Sequence, residues 1–212
     1  MPTGLADTVA LHGVSTMKKR CTWCGDDPLY TRYHDTEWGV PSRDDKHLFE
    51  MLLLEGAQAG LSWITVLRKR EGYRALFDDF NAEKIARYTD RKLDTLLQDP
   101  RIIRNRLKVY GARQNARAFL RVQEEFGSFS DYIWGFVDYQ PVQNHWSAIK
   151  SVPAATPVSD RLSKDMKKRG FTFVGSTIMY AHMQSTGMVN DHTTDCFRHR
   201  ECARMARRHT GG

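Results

Sequence analysis

The sequence predicts an all-α protein, and three observations carry that expectation. Nearly every segment between Asp44 and Gly187 has a helix start signal and a stop signal in place. No strand-type alternation of apolar and polar residues runs for more than a few positions. No internal repeat is visible either. At 212 residues the chain can form one large domain, or two small lobes that share a core. The expected division is a flexible extension over 1–17, a helical domain of two lobes over 18–198, and a basic tail over 199–212.

Taken in order, residues 1–16 carry neither the positive n-region nor the apolar core of a secretory signal. Further on, Leu48, Leu52, Glu55 and Ala59 are spaced by four, three and four residues, which puts them on one helical face. A carboxylate therefore sits within an apolar stripe. Burying it ionised and without a partner is costly, so Glu55 is a candidate functional acid. The turn Gln58-Ala59-Gly60-Leu61-Ser62 follows, and Ser62 can cap a helix to about Phe77 that opens on Trp63 and carries Arg68, Lys69 and Arg70. An acid, a glycine-tipped turn, an aromatic ring and a basic triplet so close together point to a pocket beside a polyanion.

Asn81 can cap a short helix over 82–88, and Thr89 another that stops at Asp99-Pro100. A longer helix is expected from Arg104 to Glu125, with Leu107, Tyr110, Ala112, Ala116, Phe119 and Leu120 as its apolar positions and Gly127 as its end. Helix 90–98, the turn 99–103 and this basic helix make a helix-hairpin-helix candidate, able to aim backbone N–H groups at a DNA phosphate. The glycines usual in such a hairpin are replaced by Pro100-Arg101. Ser128 or Ser130 starts a compact aromatic helix containing Tyr132, Ile133, Trp134 and Phe136. The span 140–157, with three prolines and no clear period, is expected to be a surface loop. Ser159 caps a helix ending at Gly170, and 173–186 forms another that Gly187 stops.

Net charge is +7, and the basic residues cluster around Lys18, Arg68, Arg101 to Lys108, Lys167 and the C-terminal tail. One such cluster is ordinarily a solvated helix face; several with a net excess point to nucleic acid. No apolar run approaches a membrane span, so no membrane partner is expected. The four cysteines stand at positions 21, 24, 196 and 202 of a chain without an export signal. In a reducing, cytoplasmic setting they are thiols or metal ligands rather than disulfides. His192 and Cys196 have helical-turn spacing, and Cys21 with either Cys24 or His34 can complete a four-ligand zinc site. Such a closed ligand set is structural and would tie the two termini together.

Longer motifs carry a resemblance. Cys21-Thr-Trp23, Asp27-Pro-Leu-Tyr30, the run from Tyr33 to Val40, Leu48-Phe-Glu-Met51, the run from Gln58 to Leu67, Lys167-Lys-Arg-Gly-Phe171, and Phe173-Val-Gly175 through Asn190-Asp-His192 closely resemble the DNA-3-methyladenine glycosylase I family. The resemblance implies a helix-hairpin-helix glycosylase fold with a structural zinc, one per chain, near the joined termini. It implies hydrolytic removal of 3-methyladenine from double-stranded alkylated DNA. A monomer is the default expectation for an enzyme that scans DNA. It assigns the zinc to Cys21, His34, His192 and Cys196, which favours His34 over Cys24. It sets Glu55 and Tyr33 at the polar edge of the base, with Trp23, Trp63, Trp38 and Tyr30 lining the pocket. Gly60 and Leu61 would enter the gap left by the flipped nucleotide, and the basic residues Arg104, Arg106 and Lys108 would hold phosphates.

Those residue types suit that chemistry. Adenine methylated at N3 is cationic in the nucleoside and leaves as a neutral base, so selection rather than protonation is the harder task. Aromatic faces favour a cationic ring by up to roughly 2 kcal/mol when desolvated. Stacking adds about 1–3 kcal/mol per base, against an extrusion cost of a few kcal/mol. An ionised Glu55 in a dry pocket would gain a partner only from a cationic base. A strand-cleaving lyase would need a lysine facing the pocket, and the nearby Lys46 and Lys69 both lie off the inward stripe.

Overall fold

The protein's structure is a computed structural model that describes residues 18–208, with side chains as far as residue 206; the extension over 1–17 lies outside them. Its central element is helix α2 (Asp45–Gln58), in which every residue from Leu48 to Ala57 is buried. The single apolar stripe expected there understates the burial: a helix enclosed on all sides has no solvent face. Helices pack around it in sequence order, preceded by α1 (Pro28–Thr36) and followed by α3 (Trp63–Leu67) and α4 (Arg70–Leu76). Next come α5 (Ala82–Ala86), α6 (Asp90–Leu96), α7 (Arg106–Phe126) and α8 (Phe129–Trp134). The chain closes with α9 (Pro157–Lys168), α10 (Ser176–Ser185) and α11 (Phe197–Arg208).

The core forms where α2, α7 and α8 meet. Phe119 packs at a tilt between Phe49 and Phe129, with ring centroids 4.6 and 4.7 Å apart, and burying each such ring contributes about 1.5–3 kcal/mol. On the other side α10 packs on α2 and α9. Two glycines permit close approaches. A Cβ at Gly72 would lie 2.4 Å from the Arg101 carbonyl oxygen, so α4 can touch the 97–105 turn only as glycine. Gly187 has φ +70°, and its Cβ would meet the Val40 backbone at 2.3 Å.

Several boundaries move, each for a local reason. The helix expected from Ser62 to Phe77 is two, α3 and α4, and Ser62 Oγ bonds Thr65 Oγ1 at 2.7 Å rather than a backbone N–H. Asn81 and Thr89 cap as expected, accepting from the N–H groups of Lys84 and Lys92. Asn105, not Arg104, caps α7, and Leu107 is 73% exposed in its first turn rather than apolar core. Thr156 caps α9, and Ser159 completes a capping box with it. The fold is not wholly helical. Strands β1 (Val142–Gln143) and β2 (Val189–Asn190) pair in parallel and pin the 140–157 loop to the C-terminal segment. Residues 199–208 continue α11, with Cys202 and Ala206 buried.

Candidate active site and metal cluster

Three short elements and α2 build one aromatic cavity. Asp27 accepts from the N–H groups of Leu29 and Tyr30 at 2.9 and 3.1 Å and so starts α1. That helix then presents Tyr30 and Tyr33, three apart, to the same side. The turn 22–24 adds Trp23, the α1 C-terminus leads to Trp38, and α3 opens on Trp63. These five rings and Glu55 all line a cavity of about 230 Å³. Small-molecule sites commonly span roughly 300–1,000 Å³, so this one suits a single compact ligand. Trp23 packs against Trp38 at 5.0 Å and Tyr30 at 4.9 Å, and Tyr33 against Trp63 at 5.4 Å.

The wall has polar atoms waiting for partners. Tyr33 Oη, Trp23 Nε1 and Trp63 Nε1 are buried and make no hydrogen bond to the described residues. By contrast, the indoles of Trp134 and Trp146 donate to Ser42 O at 2.9 Å and Asp191 Oδ1 at 2.8 Å. Orphaned buried donors normally cost about 1–3 kcal/mol each. Their gathering in one cavity is what a site for a ligand with acceptor atoms requires. Burial and the neighbouring Glu55 hold the Tyr33 phenol far above its usual range, so it remains a donor.

Two buried acids on α2 differ in one respect that decides their roles. Glu50 is 6% exposed and meets Arg70 Nε and Arg74 Nε, each at 2.8 Å. Burial opposes its charge, but the two guanidiniums outweigh that effect and hold it below the usual range. Glu55 is 4% exposed and has no ion pair among the described residues. Burial pushes its pKa up to about 8, with the Ser185 hydroxyl opposing. Where the sequence argument takes Glu55 as ionised in the dry pocket, its carboxyl is therefore mostly protonated near neutral pH. The basic triplet after it is also committed internally: Arg68 pairs with Asp27 at 2.7 Å, Lys69 donates to Pro100 O at 2.5 Å, and Arg70 also meets Glu37 at 2.6 Å. No lysine lines the cavity.

Gly60 turns with φ +81° at an exposed tip, and Leu61 beside it is 41% exposed. Lys108 Nζ donates to Ala57 O at 2.8 Å and Ala59 O at 2.7 Å, capping the end of α2 from which that tip projects. Arg106 bridges to Asp94 at 2.7 Å and lies over the Tyr110 ring. Arg104 is exposed and makes no ion pair among the described residues. Sequence reasoning missed other parts of the cavity: Gln58, Ile149, Ala181 and Gln184 also line it. Ile149 comes from the 140–157 loop, whose aperiodic sequence gave no sign that it faces inward.

Behind the aromatic wall, Cys21, His34, His192 and Cys196 bring their ligand atoms within 4.8 Å of one another, all buried. Cys196 Sγ is 3.4 Å from His34 Nε2 and 3.5 Å from His192 Nδ1, and Cys21 Sγ is 3.5 Å from His192 Nδ1. Tetrahedral bonds of about 2.3 Å to sulfur and 2.0–2.1 Å to nitrogen put S and N about 3.5 Å apart, so the donor set fits a metal ion. The outward ring nitrogens are also held, His34 Nδ1 by Asp35 Oδ1 at 2.8 Å and His192 Nε2 by Trp38 O at 3.0 Å. Cys24 is not in the cluster; its thiol donates to the Cys21 carbonyl at 3.2 Å. The spacing of His192 and Cys196 is realised in a turn before α11 rather than on a helix. Trp38 meets His192 edge-on at 4.6 Å, and Trp23 meets His34 at 5.3 Å, so the cluster props the cavity wall.

Comparison with known proteins agrees with this geometry. The family model for methyladenine glycosylase matches residues 23–199. DNA-3-methyladenine glycosylase 1 of Escherichia coli (strain K12) is 51% identical over 178 residues, 84% of this chain and 95% of that protein. A crystal structure of 3-methyladenine DNA glycosylase I is 52% identical with a TM-score of 0.83, over 84% of this chain and 98% of that one. A variant of 3-methyladenine DNA glycosylase I solved in complex with 3-methyladenine is 34% identical with a TM-score of 0.82, over 84% and 96%. By sequence and fold, the chain belongs to the methyladenine glycosylase family.

Proposed function

We propose that the protein is a monofunctional DNA glycosylase that draws 3-methyladenine out of alkylated duplex DNA and hydrolyses its glycosidic bond. The observation that carries this reading is a buried acid with no cation of its own, set among aromatic rings with three orphaned donors. Glu55 rests protonated because burial makes its ionisation costly. A cationic base supplies the missing countercharge, so Glu55 releases its proton to solvent as the base enters and pairs with it as the carboxylate; neutral adenine offers no such gain. Trp23, Tyr30, Trp38 and Trp63 provide the faces that stack, and Tyr33 donates to the base edge. Water then adds its oxygen at C1′ and loses a proton to bulk water, while the electrons of the broken C1′–N9 bond neutralise the departing base. The direct test is to incubate the protein with methylated duplex and identify released bases by chromatography; no release of 3-methyladenine would end the proposal.

The pKa of about 8 has a kinetic consequence. If the carboxylate is the form that pairs with the base, kcat/KM should rise about tenfold per pH unit below that value and level off above it. A profile flat from pH 6 to 9 in wild type would remove Glu55 ionisation from the capture step.

The same reading gives the 90–126 segment a helix-hairpin-helix role. In it Arg104 and Arg106 at the start of α7 contact phosphates and Gly60 and Leu61 form the wedge, while Lys108, its ammonium held by Ala57 O and Ala59 O, braces that wedge instead of meeting a phosphate. Arg104→Glu should lower the slope of log affinity against log salt by about one, since one phosphate contact contributes roughly 0.9; an unchanged slope would take the start of α7 out of the interface. The Cys/His cluster is proposed to hold one structural zinc, because two thiolates and two imidazoles leave no open position for water. No described helix is long and apolar enough to cross a membrane; a cytoplasmic monomer is the form this reading assumes.

A further inference from the structure

Gln184 lines the cavity, one turn along α10 from Tyr180, and its amide is held in one orientation. Its Nε2 donates to Asp191 Oδ2 at 2.8 Å. Asp191 is fully buried and carries acceptor atoms only. Asn144 Nδ2 and Trp146 Nε1 donate to Oδ1 at 2.7 and 2.8 Å, and Tyr180 Oη donates to Oδ2 at 2.6 Å. The end of an amide that meets a carboxylate must be its NH₂ group. Turning the amide over would set two oxygens against each other and leave a buried carboxyl oxygen short of a donor. Oε1 is therefore the uncommitted polar atom of Gln184, and it accepts no hydrogen bond from the described residues.

We propose that Gln184 is a specificity-determining contact whose Oε1 accepts from the exocyclic 6-amino group of the extruded base, with Asp191 as the positioning residue that keeps it an acceptor. The inference rests on the glycosylase reading and extends it to a choice between purines. A 6-amino purine presents a donor at that position, whereas 3-methylguanine presents an oxygen that would face Oε1 acceptor to acceptor. A site built around one hydrogen bond rejects the analogue that lacks it far more strongly than shape alone can. The sequence held a partial signal: Asp191 stands within the Asn190-Asp-His192 motif, but only the fold brings it to Gln184.

The test compares wild type with Gln184→Met, which keeps length and loses the acceptor, on duplex treated with a methylating agent so that it contains both 3-methylpurines. Single-turnover release of each base is followed by chromatography. Excision of 3-methyladenine should fall about 10- to 100-fold while that of 3-methylguanine holds or rises, so their ratio drops at least about tenfold. An unchanged ratio would overturn the proposal even if both rates fall. Should the variant fail to fold, titration of wild type with the two free bases by tryptophan fluorescence decides: 3-methyladenine must bind at least about tenfold more tightly. Equal affinities would overturn it. If wild type releases neither base, the glycosylase reading itself fails and this inference falls with it.

Discussion

Glu55→Gln is expected to lower single-turnover excision of 3-methyladenine about 10- to 150-fold. That range corresponds to the ~1.5–3 kcal/mol carried by a hydrogen bond to a charged group. Affinity for undamaged duplex should stay within about twofold, because the residue lies inside the cavity and away from the basic surface. The same change should make the free protein more stable in mildly alkaline buffer. Burial raises the folded-state pKa of Glu55 from 4.5 to about 8. Across that window the folded chain keeps a proton that the unfolded chain has released, so this group's contribution to stability falls as pH rises. Gln removes that loss, and its Tm at pH 8.5 should exceed the wild-type value by several degrees. Excision at the wild-type rate would refute the role of the acid. A Tm difference that does not grow from pH 5 to pH 8.5 would refute the account of its resting state.

Cys196→Ser should cost several kcal/mol of stability. It removes one of four converging ligand atoms, and bound metal is in effect folding free energy when the unfolded chain has no site. A loss of at least ~4 kcal/mol is expected, which for a domain of this size lowers Tm by roughly 8–16 °C. Wild type should contain one zinc per chain by elemental analysis, and a chelator added during thermal unfolding should bring its Tm toward that of the variant. Cys24→Ser is the control, since its thiol bonds only backbone carbonyls; it should retain the metal. Because Trp38 and Trp23 rest on the ligand imidazoles, metal loss should also alter tryptophan emission and weaken binding of 3-methyladenine. A metal-free wild type with an unchanged Tm would refute the structural role.

Much of this arrangement was legible in the residues, and for uneven reasons. The order of helices followed from caps such as Asn81, Thr89 and Ser128, whose side chains accept the N–H bonds that their residue types suggest. Glu55 stood out because a carboxylate interrupts an apolar pattern. That pattern could not separate it from Glu50, which is buried on the same helix but neutralised by Arg70 and Arg74 from α4. Telling a paired acid from an unpaired one needs tertiary geometry. The resemblance gathered six cavity residues and four ligands that periodicity alone would not have joined. Lys108 shows the opposite limit. Composition counts it as surface charge, yet its ammonium is held by the carbonyls of Ala57 and Ala59. The two-residue strands were invisible because no alternation can be seen over so short a length.

The meeting of Cys21 and His34 with His192 and Cys196 also couples distant parts of the chain. His192 braces Trp38, and without it and Cys196 the His34 imidazole behind Trp23 has nothing to close on. A ribosome-bound nascent chain, or one clipped by a protease ahead of His192, would have Glu55 but no finished chamber around it.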